Sequence, residues 1–356
     1  MGNKYVDVVI TRETKPVNEK GFGTPLVLLT GVDLPYSIYT EIEELDASIG
    51  VDTNDYKVLQ RMFGQQPRAK EIEVIGVNMS VGMESAGDET DTADVPMVDV
   101  QDHKKERVVE ALNQAIEAGA SFYYLVSSDN SDEMIRILSE YISAQDKLYA
   151  ATIDSIDIAT ELNGMYDNVF FVAHDSRQSY VAEGLVSTIA PRQIGSYTWT
   201  FKNIQGVQAA KFPTTQILEF ERANASVYIN EAGVLMNSKG VAISGEYIDN
   251  VQATHYIKAR MTENIFRMLA LTEKIPYTDK GIALVVSEIE KVLKHSYNVG
   301  IIADDEAGNP EFTITAPKRA DILKNTVAKR ILPDVRWRAV VAGAVEKVEI
   351  RGVLAL

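Results

Sequence analysis

The chain contains no cysteine in its 356 residues. Disulfide frameworks, thiolate zinc sites and cysteine nucleophiles are therefore excluded. It also lacks a long apolar run: no stretch approaches the roughly 18 uninterrupted apolar residues of a membrane helix. The N-terminus, MGNKYVDVVITRE, has no basic-then-apolar leader pattern, so the expected place of synthesis is the cytoplasm. Met1-Gly2-Asn3 opens like a myristoylation signal, but Val6 stands where that motif needs Ser or Thr. No glycine-rich loop ends in Lys followed by Ser or Thr. No helical histidine pair brackets a glutamate, and no Gly-x-Ser-x-Gly elbow occurs, since Gly240 and Gly245 have the wrong spacing. Basic charge is in short supply: 35 Lys and Arg stand against 51 Asp and Glu, a net charge of −16. Such a chain repels a phosphate backbone, so no nucleic-acid partner is expected.

Apolar residues make up 46% and charged residues 24%, enough to bury a core in two or three domains. Lys4–Arg12 is rich in Val and Ile and reads as a strand, and 13–24 reads as a linker. Leu26–Thr30 reads as a second strand. No turn of hairpin length joins the two strands, which leaves the first to pair elsewhere. A helical pattern covers 40–65, with Asn54 as its expected cap, and Glu71–Val77 reads as a strand. Residues 78–103 hold seven Asp and Glu and read as an exposed acidic loop. That loop lacks the ligand spacing and turn glycine of a calcium site. From 105 to 190, helices (105–118, 132–142, 155–165 and 178–187) alternate with apolar strands (122–126, 148–153 and 169–173). Alternation of this kind implies α/β architecture with a mostly parallel sheet.

After Pro191 the character changes. Strands are expected at 198–202, 227–229, 312–316 and 335–341. Long helices are expected at 249–271 and 278–296, and a short one at 319–328. Val345–Leu354 alternates Val348 and Ile350 with Lys347, Glu349 and Arg351, an amphipathic terminal strand with Gly343 at its root. From 318 to 351 nine basic residues outnumber four acids, so an acidic chain ends in a basic segment suited to docking on an acidic partner. Two strand-like ends on flexible roots are the sharpest physical clue. A lone strand must find a sheet edge, in its own molecule or in a neighbour. Exchange that does not close on itself builds an open helical polymer.

The discrete chemical motifs are weak. Gly21-Phe22-Gly23 begins like a dinucleotide fingerprint but precedes a strand instead of following one. Asn224-Ala225-Ser226 matches a glycosylation acceptor in a chain without a secretory leader. His174-Asp175 follows a strand, where an α/β enzyme or small-molecule binding protein would place its site. That is the alternative reading, together with another particle component such as a tube or capsid protein.

The second half resembles the core domain of contractile tail sheath proteins. The resemblance runs through Gly195–Lys202, Ala223-Asn224-Ala225 with Val227-Tyr228, Gly233, Lys239-Gly240, Ser244–Asp249, Lys274–Gly281, Ala316-Pro317 and Ala342–Gly352. In the first half it is looser, mainly in 56–77. It implies a multi-domain subunit: an N-terminal arm and linker (1–19), an outer α/β domain (20–195), an inner α+β sheath core facing a tube (196–342) and a C-terminal strand arm (343–356). It implies subunits stacked as rings in a helical sheath, with arms that add strands to sheets of adjacent copies. Those arms would use Tyr5, Val6, Val8, Val9 and Ile10 at one end. At the other they would use Val345, Lys347, Val348, Glu349, Ile350 and Arg351. It implies Lys318, Arg319, Lys324, Lys329 and Arg330 as tube-facing residues. Further implied partners are a tail tube protein, baseplate proteins and a tail terminator. The particle would be a phage tail, a tail-like bacteriocin or another injection system, assembled in a bacterial host. No catalytic residue, metal, cofactor or membrane insertion is implied, because contraction releases conformational energy. At this length the outer domain would serve decoration or lateral packing.

Overall fold

The computed structural model describes residues 21–45, 47, 49–79 and 97–351. The expected strand at 4–12 and most of the acidic loop fall outside these residues. An eight-stranded sheet runs in the order β2-β3-β1-β4-β5-β6-β7-β8. Its strands are β1 (Pro25–Leu29), β2 (Leu34–Tyr39), β3 (Ile72–Gly76), β4 (Tyr124–Ser127), β5 (Leu148–Ile153), β6 (Val169–Ala173), β7 (Ser226–Glu231) and β8 (Val234–Asn237). The six central strands are parallel, and β2 and β8 close the two ends antiparallel. Strands β1, β4, β5 and β6 are buried along their whole length, as parallel strands covered on both faces must be.

Two apolar layers cover the sheet. One carries α1 (Asn54–Phe63) and α5 (Val181–Ile189), with Val58, Leu59, Met62, Leu185 and Val186 against Val27, Val74 and Val172. The other carries α2 (Met97–Glu117), α3 (Asp132–Ser143), α4 (Ile156–Leu162) and α6 (Thr214–Arg222). There Val108, Leu112, Leu138 and Ile158 meet Leu28, Leu125 and Phe171. The helix starts follow local chemistry: the side chains of Thr53, Ser131 and Ser155 each accept a first-turn N–H.

Beyond the sheet lie α7 (Ile248–Leu271), α8 (Asp279–Asn298) and α9 (Lys324–Ala328), with a small antiparallel ribbon of β9 (Phe312–Thr315) and β10 (Arg336–Ala339). Helices α7 and α8 and the ribbon share a third core, in which Tyr256, Ile257, Ile289 and Leu293 pack with Ile194, Ile301 and Ile302. This unit sits at the amino ends of the parallel strands. Tyr123, just before β4, bonds His255 of α7 (2.9 Å), and Asp146, just before β5, pairs with Lys258 (2.7 Å).

Several sequence expectations are corrected. Thr53 caps α1 and Asn54 is its first residue; the described residues of 40–52 hold a short 3-10 turn, Ile42–Glu44, and no α-helix. Residues 97–103 of the expected acidic loop belong to α2. The expected strand at 198–202 is a turn. Trp199 is fully buried, with its Nε1 donating to Gln252 Oε1 (2.7 Å), and Phe201 has φ 63°; the β-like composition reflects burial of one ring, not a ladder. The expected helix at 319–328 is broken into a 3-10 turn, Arg319–Asp321, and α9. The sheet continues past residue 195 through β7 and β8.

Candidate assembly surface

In a doubly wound sheet the ligand crevice opens at the carboxyl ends of the strands where the order reverses, here between β1 and β4. That place is filled by the protein itself. Asp55, at the start of α1, is 3% exposed. Its carboxylate accepts the N–H of Thr30 (3.1 Å), the N–H of Gly31 (3.0 Å) and the Ser128 hydroxyl. A Cβ on Gly31 would lie 2.8 Å from Asp55 Oδ2, so glycine admits this approach. Beside it, Glu183 on α5 is fully buried, accepting from Asn130 Nδ2 and Thr152 Oγ1, both at 2.6 Å. Burial pushes its carboxyl up to about 7, against those hydrogen bonds. Arg177 closes the same edge by pairing with Asp132 and Asp154.

His174 and Asp175 sit on this edge and are used structurally. His174 Nε2 bonds the Gln208 carbonyl (3.0 Å), and Asp175 accepts the Lys211 N–H (2.8 Å). Together they hold the segment that leads into α6. The alternative reading of an enzyme or binding site there is not favoured. Among the described residues no group of three or more His, Asp or Glu could hold a metal ion.

The other end of the molecule presents unpaired backbone. In the β9–β10 ribbon Arg336 faces Thr315, Trp337 faces Ile314, Arg338 faces Thr313 and Ala339 faces Phe312. Alternation turns Phe312, Ile314 and Ala339 onto the third core and leaves Thr313, Thr315, Arg336 and Arg338 exposed. Each strand has a neighbour on one side only, and a two-stranded ribbon is marginal in water without further support.

The segment that follows β10 pairs only briefly, through an antiparallel bridge between Val341 and Ile302, and then leaves the ribbon. Ala342 donates to the Ile301 carbonyl (2.9 Å), Gly343 takes φ 55°, and residues 345–351 form no strand. The sequence pattern predicts a strand there; among the described residues, 345–351 pairs with no edge. Val345, Val348 and Ile350 are 80%, 71% and 88% exposed. The segment is held at one point, where the hydroxyls of Thr198 (3.0 Å) and Thr200 (2.6 Å) donate to Glu346 Oε1. Glu346 faces Asp249, whose carboxyl is raised by burial and further by the Glu346 charge.

Lys318, Arg319, Lys324, Lys329 and Arg330 all fall in the connection between β9 and β10. Four are exposed and Arg319 is half-buried. Arg319 stacks on Tyr277 (5.3 Å), and its N–H donates to Asp279 (2.6 Å). Leu323 and Ile331, 76% and 54% exposed, lie among them. The N-terminal candidates, Tyr5, Val6, Val8, Val9 and Ile10, lie outside the described residues.

By sequence, residues 248–319 match the family described as E217 tail sheath protein gp31-like, C-terminal domain. This span is α7, α8, β9 and the turn that begins the basic connection. Over nearly its whole length the chain shares its fold with chains of contractile sheath assemblies. A chain of the anti-feeding prophage helical sheath in its contracted state is similar over 99% of both chains, with a TM-score of 0.61 and 10% identity. A chain of the extracellular contractile injection system PVC sheath complex, also contracted, is similar over 99% of this chain and 98% of its own, at 0.60 and 11%. The sheath tail protein of Listeria innocua is similar over 84% of this chain and 89% of its own, at 0.51 and 11%. Identities this low carry the fold alone. No curated protein matches the chain by sequence.

Proposed function

We propose that this chain is the structural, non-enzymatic subunit of a contractile sheath. Copies stack as rings in a helical array around an inner tube and shorten to drive that tube through a target envelope. The observation that carries this reading is the strand-patterned segment 345–351, exposed and unpaired beside a ribbon whose two edges are open. Strand addition satisfies both sets of backbone groups at once. In such a ladder Val348 and Ile350 extend the apolar face of Ile314 and Trp337, while Lys347, Glu349 and Arg351 extend the polar face of Arg336 and Arg338. Pairing with the ribbon of a second copy leaves the Glu346 anchor in place, so the partner edge is assigned to a second copy. By its sequence, the stretch Tyr5–Ile10 is the second arm of the same exchange.

The basic connection, Lys318, Arg319, Lys324, Lys329 and Arg330, is the proposed tube-facing element, with a tail tube protein as its acidic partner. Baseplate and terminator proteins would meet the two ends of the array. The subunit would be made in the host cytoplasm and built into a tail-like particle. A chain without cysteine permits a direct test by disulfide trapping. Chains carrying Ile350→Cys are mixed with chains carrying one cysteine at each of 312–315 and 336–339 in turn. The proposal expects oxidation to link the thiol introduced at position 350 to neighbouring positions on one edge, peaking at a single register. Linkage spread evenly over both strands, or none in assembled material, overturns strand addition.

A further inference from the structure

A strand-like end beside an open sheet edge of its own chain ordinarily closes onto that edge, because such closure carries no association cost. We propose that segment 345–351 adds to the outer edge of β10 in a second copy, and that the Glu346 anchor keeps each copy's own segment from closing there. This inference rests on the strand-addition reading and names the edge and the device that keeps it open.

The edge follows from the backbone bonds. Val340 donates to the Glu311 carbonyl (3.1 Å), and Ala303 donates to the Val340 carbonyl (2.9 Å). Val340, and by the same register Arg338 and Arg336, therefore turn their backbone groups towards β9. By alternation Trp337, Ala339 and Val341 turn theirs outward, and none of these N–H and C=O groups has a partner among the described residues. Trp337 and Val341 are 42% and 44% exposed. On β9 the outward groups belong to Phe312 and Ile314, and the Phe312 N–H is already turned onto the Pro310 carbonyl (2.9 Å). The longer open edge is that of β10.

That edge also lies within reach of the chain's own end. A turn through 342–345 has hairpin length. It would set Glu346 opposite Val341, Val348 opposite Ala339 and Ile350 opposite Trp337, with Val348 and Ile350 on the apolar face. The chain does not take this path: 345–351 forms no strand. After Gly343, at φ 55°, Glu346 is drawn instead to the hydroxyls of Thr198 (3.0 Å) and Thr200 (2.6 Å). Anchor and closure compete for the same short stretch of chain.

The base of the anchor is firm. Trp199, between the two threonines, is fully buried with its Nε1 on Gln252 (2.7 Å), and Phe201 donates to the Asn237 carbonyl of β8 (2.9 Å). The anchor thus ties the segment to the large sheet and away from the ribbon. Among the described residues no cation pairs with Glu346, so the two hydroxyls carry the contact. Exchange of such a segment between copies, with its own edge left free for the next, propagates without closing.

The test uses the full-length chain, which has no cysteine of its own, carrying Ala339→Cys/Val348→Cys and oxidised under conditions that favour assembly. Non-reducing electrophoresis separates chains joined to one another from chains closed on themselves, which run as monomers without free thiol. With the anchor intact, joined chains are expected. Adding Thr198→Val/Thr200→Val, which keeps shape and removes both donors, should raise the closed fraction at least about fivefold. Thr198→Ser/Thr200→Ser, which keeps the hydroxyls, should restore the parent ratio. Glu346→Ala, a change outside the three cores, should match the valine variant and guards against an effect of misfolding. Closed chains in the parent, or an unmoved ratio in both the valine and alanine variants, overturn the anchor's role. Links formed as readily by Ile314→Cys/Val348→Cys place the strand on β9 and overturn the edge. Sedimentation keeps the reading beneath separate. Parent chains that stay monomeric and unlinked refute strand addition itself, whereas chains that assemble and join with an unmoved ratio refute only the anchor.

Discussion

Two carboxylates set the character of the sheet's carboxyl edge. Asp55 takes the position that an anionic ligand would occupy and so makes the switch point a structural joint. Replacing it by alanine strands the Gly31 N–H and takes one partner from the Thr30 N–H and the Ser128 hydroxyl, which still bond each other, and we expect a loss of about 2 kcal/mol in urea unfolding. Asp55→Asn, which keeps one acceptor oxygen, should lose less. Glu183 makes the stability depend on pH. Its folded pKa of about 7 lies above the ordinary 4.5, so between these values the folded state holds a proton that the unfolded state has released. The stability is full below pH 4.5 and declines as pH rises through 7, by about 3 kcal/mol. Glu183→Gln should flatten that slope, as chemical denaturation at about pH 4.5, 6 and 7.5 would measure. Neither role was legible in the sequence. Thr30 and Ser128 meet Asp55 across 25 and 73 residues, and the sequence drew attention to Asn54 as a cap instead. His174-Asp175 was conspicuous because a His beside an Asp after a strand is what local reading rewards. The tertiary structure spends both side chains on holding a loop.

The elements show where local rules suffice. The apolar strands β1, β3, β5 and β6, the long helix α7 and the capped helices α3 and α8 were readable because their patterns agree with their burial. Strand β2 was missed because Leu34–Tyr39 contains Pro35 and lies at a half-exposed edge. Helix α6 was missed because Phe220 is its only buried residue. The joint between the sheet and the C-terminal unit is tight. Gly195, at φ 91°, would place a Cβ 2.6 Å from the Val299 carbonyl, and Gly300, at φ 87°, would place one 2.8 Å from that of Gly195. Gly195→Ala must break this close approach as well as adopt a left-handed backbone. We expect a loss of about 2–3 kcal/mol, measured as a lower denaturation midpoint. The amphipathic pattern of 345–354 was legible in the sequence, whereas the unpaired state of 345–351 could be seen only in the folded molecule.

The whole molecule combines a closed end and an open end. The carboxyl edge is sealed by Asp55, Glu183 and Arg177, while the C-terminal unit exposes Leu323, Ile331, Trp337, Val348 and Ile350. A fold that seals its ligand crevice and bares strand edges is built for assembly. The sequence conveyed this through charge and through its two strand-like ends. The extent of the sheet past residue 195 was hidden because β7 and β8 join it only after a long excursion, from Ala173 at the end of β6 to Ser226. Electron microscopy of the purified full-length chain, beside a chain lacking residues 1–12 and 345–356, tests the central claim most directly. The account predicts hollow helical tubes from the full-length chain and compact particles from the truncated one. Discrete monomers or dimers from both, under conditions that favour assembly, would contradict it.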